Sequence, residues 1–333
     1  MVTIKDVAKK AGVSVATVSA VINKDSNVNV SERLSKKVVR AVNELNYRPN
    51  RIARALSKKE NPMIAYVVPT IRNEFFSQIG HYIENFAFGK KYGVYLCNTH
   101  SKIERSDLYL NNLIENRVSG VIVTLTWEII TSNFIENLLE ANIPVVGMAG
   151  ARKRDDIDTV LIDDKEGSFK AVEYLIENNK SNIAFIGVEE SKTTEIRYSG
   201  YKKGLRKNNI ELNRDLVSIQ KGFDREDGYQ AADNLIKNNS SIDAIFVYND
   251  VMASGVIDYL NHRKIQIPEE VAVIGYDNSV AAYTNPKLST MAVPKYKIAE
   301  KTMELLFSKI DNEGSDNYQT HLIHPELVIR ETT

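Results

Sequence analysis

The chain has 333 residues, 43% hydrophobic and 26% charged, the texture of a globular protein large enough for two or three folding units. It contains no apolar run of about 18 residues that could span a membrane, and its start, MVTIKDVAKKAGVS, lacks the apolar core of a secretory leader. The formal net charge is zero, yet residues 1–60 carry 13 Lys and Arg against 5 Asp and Glu, while the remaining 273 carry 30 against 38. A basic head on an acidic body is the pattern of a module that meets a polyanion. The head has no Trp or Phe with which to enter a membrane interface, which ranks nucleic acid ahead of lipid. One cysteine, Cys97, permits no internal disulfide. The expectation is a cytoplasmic protein in which Cys97 is a small buried hydrophobe.

In chain order, Thr3-Ile4-Lys5-Asp6 reads as a capped helix start, with Ile4, Val7, Ala8 and Ala11 at helical spacing and Gly12 as the stop. Ser14 can cap a second helix in which Val18, Val21 and Ile22 face inward, leaving Val15, Ala16, Ser19 and Ala20 to face elsewhere. Ser31-Glu32 opens a third, lined on one side by Leu34, Val38, Ala41, Val42 and Leu45. Two short helices joined by a tight glycine turn over a third make a helix-turn-helix pattern. Three packed helices also occur in proteins that never touch DNA.

Beyond residue 60, short apolar runs (MIAYVV, GVYLC, GVIVT, IPVVG, TVLI, NIAFIG, DAIFVY, VAVIGY) alternate with longer helical stretches. That alternation predicts parallel sheets flanked by helices. About ten strands in two sets predict two similar subdomains with a cleft between them. Ligands of open parallel sheets bind beyond the carboxyl ends of the strands. The polar tails there include Asn249-Asp250, Asp277-Asn278, Asp163-Asp164 and Phe75-Phe76, with Arg197 before a further helix. A carboxylate, an amide and a guanidinium over aromatic faces suit a polyol or sugar ring, although Asp and Asn at such places also cap helices. No G-x-G-x-x-G, Walker loop, G-x-S-x-G or H-E-x-x-H is present, and His81, His100, His262, His321 and His324 have no metal-ligand spacing with the lone cysteine. The expectation is therefore a non-enzyme without cofactor or metal.

The segments TIKDVAKKAGVSVATVSAVIN, VSERLSKKV and NYRPNRIARAL closely resemble the N-terminus of the lactose-repressor/galactose-repressor family of bacterial transcription factors. VVPTIRNEFFSQI, NRVSGVIV, IPVVG, RYSGYKKGL, YNDVMASG, VAVIGYDN and NPKLSTMAVP resemble its effector-binding core, itself similar to periplasmic sugar-binding proteins. The resemblance implies an α/β protein: a three-helix DNA-binding domain (1–46), a hinge helix and linker (47–60), and a two-subdomain core (61–333). One subdomain would hold about 61–161 and 293–322, the other about 162–292 and 323–333. It further implies a homodimeric repressor that puts its second helix into the major groove of a palindromic operator. A hinge helix from Asn50 to Leu56 would enter the minor groove with Leu56 as the wedge.

Thr3, Ser14, Thr17 and Ser19 are the expected phosphate contacts and Val15, Ala16 and Ala20 the expected base-facing positions. Asn23, Asn50, Arg51, Ala53 and Leu56 complete the DNA-contacting set. Arg197, Asn249 and Asp277 fall on effector-contacting positions and Phe75, Phe76 and Phe223 on the pocket wall, with Asp250 expected to cap its helix. Two departures from the family bear on DNA reading. Ala20 stands where the family usually carries a guanine-reading Arg, so direct readout is weakened. The loop Lys24–Asn29 is about two residues longer than its commonest form. In the core, Ala149-Gly150 replaces a common polar pair after the IPVV strand, leaving one side of the pocket without hydrogen-bonding side chains. The implied effector is a small molecule, a sugar or sugar derivative. A stand-alone sugar-binding protein is the competing class, and the basic head argues against it.

Overall fold

The computed structural model describes residues 2–23, 30–47, 61–149, 154–239, 241–311 and 317–333. They fall into two units, Met1–Asn61 and Pro62–Thr333. Among the described residues, no helix is long and apolar enough to cross a membrane. Asn50, Arg51, Ala53 and Leu56, the loop Lys24–Asn29, Gly150 and the side chain of Asn23 lie outside the described residues.

In the small unit, α1 (Ile4–Ala11) is opened by a reciprocal cap. The Thr3 backbone N–H donates to Asp6 Oδ2 at 2.8 Å, and the Asp6 N–H donates to Thr3 Oγ1. Gly12 closes the helix at φ +66°, a left-handed turn that glycine adopts without strain. The next helix, α2 (Val15–Asn23), starts where Ser14 Oγ accepts from the Thr17 N–H at 3.1 Å. Val7, Val18 and Val38 are fully buried at the junction with α3 (Glu32–Glu44), and Ala8, Ala11 and Ala41 let the three helices approach. One position departs from the amphipathic reading. Ala20, expected on the outward face of α2, is only 7% exposed, while Val15 is 41% exposed and Ala16 is open.

Among the described residues, the large unit contains two six-stranded sheets. The first is built from β1 (Met63–Val68), β2 (Gly93–Asn98), β3 (Gly120–Thr124), β4 (Val145–Met148), β5 (Asp158–Ile162) and β11 (Thr320–Ile323). Their spatial order is β11-β5-β4-β3-β1-β2, and every pairing is parallel, with Ile64 opposite Val94 on one side and Gly120 on the other. The second uses β6 (Ile183–Val188), β7 (Val217–Gln220), β8 (Ala244–Val247), β9 (Ala272–Asp277), β10 (Ser289–Ala292) and β12 (Glu326–Val328). Its order is β12-β10-β9-β8-β6-β7, parallel except for the β10–β12 pair. The central strands are apolar on both faces and buried from end to end, because helices cover both sides of each sheet.

Those helices are α4 (Glu74–Gly89), α5 (Ile103–Glu115), α6 (Trp127–Thr131) and α7 (Phe134–Glu140) on the first sheet, and α8 (Asp164–Glu177), α9 (Lys192–Lys207), α10 (Arg225–Asn238) and α11 (Asp250–His262) on the second. The last, α12 (Lys295–Ile310), follows a strand of the second sheet but packs on β3, β4 and β5 of the first. The chain therefore crosses between the sheets three times: at Asp163, at Val293-Pro294 and at His324-Pro325. Close helix packing fixes the second half. A Cβ on Gly255 of α11 would stand 1.9 Å from the Arg225 carbonyl oxygen, and one on Gly228 of α10 would stand 1.9 Å from the Met252 carbonyl oxygen. Only glycine permits that backbone approach.

Candidate effector cavity and nucleic-acid face

The carboxyl ends of both sets of strands open onto one cavity of about 340 Å³. From the first sheet come Thr70 after β1, Phe76 on α4, and Thr124, Thr126, Trp127 and Glu128 at the end of β3. From the second come Glu189 and Ser191 after β6, Lys221 and Phe223 after β7, and Tyr248 after β8. The chain folds this way locally because capping side chains turn each strand end into a helix. Asn73 Oδ1 accepts from the Phe75 N–H at 2.9 Å, Ser191 Oγ from the Thr194 N–H at 3.2 Å, and Asn249 Oδ1 from the Met252 N–H at 2.7 Å.

Near the Tyr248 wall lies a buried charge network. Arg197 on α9 is 4% exposed. Its Nε and Nη2 reach Asp164 Oδ1 at 2.9 and 2.8 Å, its Nη2 lies 3.6 Å from Asp277 Oδ1, and its Nη1 donates to the Tyr248 carbonyl. The guanidinium carbon sits 3.5 Å from the Tyr276 ring centre. Lys295, at the start of α12, donates to the carbonyls of Asp277 at 2.6 Å and Asn278 at 3.1 Å, so it ties the first half to the second. Burial pushes the Asp277 carboxyl up to about 7, with Arg197 opposing the shift. Burial also raises Asp250 to about 6, against the hydrogen bonds it accepts from Thr290 Oγ1 and the Ser279 N–H.

The residues singled out from the sequence divide between these two places. Phe76 and Phe223 border the cavity. Phe75 turns into the core, edge-on to Phe76 at 5.1 Å. Arg197 and Asp277 belong to the buried network, and Asn249, 1% exposed, caps α11 while its Nδ2 donates to the Phe223 carbonyl at 3.3 Å. The expectation that Asp250 caps its helix is corrected. The cap is Asn249, one residue earlier, and Asp250 is fully buried as the acceptor that joins Ser279 and Thr290. Among the described residues, no group of His, Cys, Asp and Glu is placed to hold a metal ion.

A model of bacterial regulatory proteins of the lacI family matches residues 3–50, and one of the periplasmic binding protein-like domain matches residues 172–333. The chain is 34% identical to the HTH-type transcriptional repressor PurR of Histophilus somni, over all of this chain and 99% of that one. The chain belongs to the lacI family. Among solved structures it is similar to the lac repressor dimer bound to operator and the anti-inducer ONPF, at 25% identity and TM-score 0.87, over 99% of this chain and 98% of that one. It is also similar to a transcriptional regulator CelR–cellobiose complex, at 26% identity and TM-score 0.75, over the whole of both chains.

As a lacI-family protein it is a DNA-binding transcriptional regulator, and its candidate nucleic-acid face is the small unit. Thr3, Ser14, Val15 and Ala16 are exposed there and Thr17 and Ser19 are half-buried. Thr124, Thr126, Trp127, Glu128 and Tyr248 border the cavity without being among the residues expected from the sequence. The signal was available: TLTWE is the polar tail of the apolar run GVIVT, the same kind of feature that singled out the other strand ends.

Proposed function

We propose that the protein is a cytoplasmic, non-catalytic repressor that binds a palindromic operator as a homodimer and responds to a carbohydrate effector in the cavity of its large unit. One observation carries this reading: a basic three-helix unit shares a chain with an aromatic-walled cavity at the carboxyl ends of two parallel sheets. The CelR relative's cellobiose and the lac repressor's operator and dimer give the classes of partner. We take residues 61–161 with 293–322, and 162–292 with 323–333, as the two subdomains. Because the sheets are joined at three crossings, a ligand that touches both walls favours one relative placement of the halves, which is the lever a dimer needs to alter operator affinity. Thr3, Ser14, Thr17 and Ser19 would contact phosphates, Val15 and Ala16 base edges, with Asn23, Asn50, Arg51, Ala53 and Leu56 completing the DNA face. Phe76 and Phe223 would contact the effector directly. Arg197, Asn249 and Asp277 would hold the floor beneath it.

The test is binding to duplex pools of randomised palindromes at graded salt. A regulator loses affinity steeply as salt rises, through counterion release, and enriches a palindromic motif. A chain lacking residues 1–60 should keep ligand binding and lose the motif. Absence of salt-dependent duplex binding by the full chain would overturn the reading and favour a stand-alone sugar-binding protein.

A further inference from the structure

We propose that α2 reads its operator through thymine methyl groups, with Val15 and Ala16 as the reading side chains, rather than through hydrogen bonds to base edges. The inference rests on reading the small unit as a DNA-binding domain, and it names the base chemistry that α2 selects. In a helix-turn-helix, the N-terminal residues of the second helix meet the base edges in the major groove. Here that turn presents two apolar side chains outward. Val15 is 41% exposed and Ala16 is exposed, whereas Val18 is fully buried and Ala20 is 7% exposed. The apolar group on the major-groove edge of a base pair is the C5 methyl of thymine, and small apolar side chains are the ones that pack on it. Covering that methyl removes apolar surface from water on both sides of the contact.

The polar chemistry of the helix points the same way. Arg and Lys read guanine, Asn and Gln read adenine, and Asp and Glu read cytosine. The sequence of α2, VATVSAVIN, has none of these before its last residue, Asn23. The hydroxyls that flank the reading pair are held locally. Ser14 Oγ and Thr17 Oγ1 hydrogen-bond to each other at 2.9 Å, and Ser14 Oγ also accepts from the Thr17 N–H. Exposed cations stand on the neighbouring helices instead, Lys5 and Lys9 on α1 and Arg33 and Lys37 on α3. Contacts from such side chains to phosphates position a protein on DNA without specifying a sequence. The small unit thus carries its charge on α1 and α3 and an apolar reading turn on α2. The base pairs that fit this turn are A·T pairs whose thymine methyls face Val15 and Ala16.

The test uses the full chain and the duplex it enriches from randomised palindromes. Each thymine of that duplex is replaced in turn, in both half-sites, by deoxyuridine, which removes only the methyl. At the positions that α2 meets, the loss should be about fourfold per methyl, hence roughly tenfold or more for the symmetric pair, with the salt dependence unchanged. Cytosine at such a position should weaken binding. Its 5-methyl form, which returns the methyl to the same place in the groove, should recover most of that loss. Val15→Ala should shrink the ratio of thymine to uracil affinity at one position and leave the rest of the motif as it was; the residue is exposed, so the fold is not at stake. A motif without thymine in its half-sites, or one whose thymines can all be replaced by deoxyuridine without loss, overturns the proposal. So does a thymine preference that persists in both Val15→Ala and Ala16→Gly. Failure of the full chain to bind duplex in a salt-dependent way, or to enrich any palindrome, overturns the underlying reading of the small unit instead.

Discussion

Replacing Arg197 with methionine tests how the buried charge network supports the large unit. The substitution keeps the stem over Tyr276 and removes the cation that faces Asp164 and Asp277, all three being under 6% exposed. Breaking one partner out of a buried ion pair costs about 3–5 kcal/mol. At about 2–4 °C per kcal/mol for a large domain, the melting temperature should fall by roughly 10 °C. The single tryptophan, Trp127, lies in the large unit, so its fluorescence follows that unit's unfolding. The pH dependence has a definite sign. The Asp277 carboxyl is pushed up to about 7 in the folded protein by burial, with Arg197 pulling it down. A carboxyl raised on folding contributes stability that is complete below its unfolded value, near 4, and lost as the pH climbs through 7. Without Arg197 the ionised form loses its support, so the deficit of Arg197→Met should be largest near about pH 8 and shrink towards about pH 5.5. Adding Asp277→Asn should recover part of it at the higher pH. A loss below about 2 °C, or an equal deficit at both pH values, would refute this account of the network.

Three further outcomes can be checked independently. Gly255→Ala should destabilise the large unit by at least about 1–3 kcal/mol in denaturant titration, because the new methyl meets the Arg225 carbonyl oxygen at 1.9 Å; a neutral result would mean that α10 and α11 part easily. Asn249→Ala removes both the α11 cap and the donor to the Phe223 carbonyl, and should cost about 1–2 kcal/mol and weaken effector binding together. Stability lost with binding unchanged would uncouple the cap from the Phe223 wall. Ala20 is 7% exposed and carries no donor, so changing the operator base pair that an arginine at position 20 would read should cost less than about 1 kcal/mol, against roughly 1–3 kcal/mol for a bidentate contact; an invariant guanine there in selected sites would defeat the assigned register of α2.

The legible part of the fold was the part with strong periodicity. MIAYVV, GVIVT and VAVIGY are buried on both faces and could be read as central strands from composition alone. VSIQ, THLI and ELV are sheet-edge strands with mixed polarity, and STMA is a four-residue strand held between β9 and β12, so none carries a signal longer than a turn. The same limit shaped the site. Arg197, Asn249 and Asp277 stand out as polar residues after apolar runs, but which of them faces open space depends on hydrogen bonds to backbone groups far along the chain, such as the Phe223 and Tyr248 carbonyls. Asp250 and Asn249 illustrate the ambiguity: adjacent residues of similar chemistry, one a cap and the other a buried acceptor, distinguished only by where Ser279 and Thr290 arrive.

The separation of charge from cavity has a physical logic. Asp164 and Asp277 share Arg197, Asp250 accepts from Ser279 and Thr290, and Lys295 holds the main-chain carbonyls of Asp277 and Asn278, so these charges are met within the protein. That network fixes the ends of β8, β9 and the helices that follow them, and it reaches α12 through Lys295, across one of the three crossings between the sheets. Tyr248 belongs to both sides: its carbonyl accepts from Arg197, and its residue lines the cavity opposite Trp127. A molecule that presses on the Tyr248 wall therefore acts on the group that holds the buried arginine, and through Asp277 on the lysine that spans the two halves.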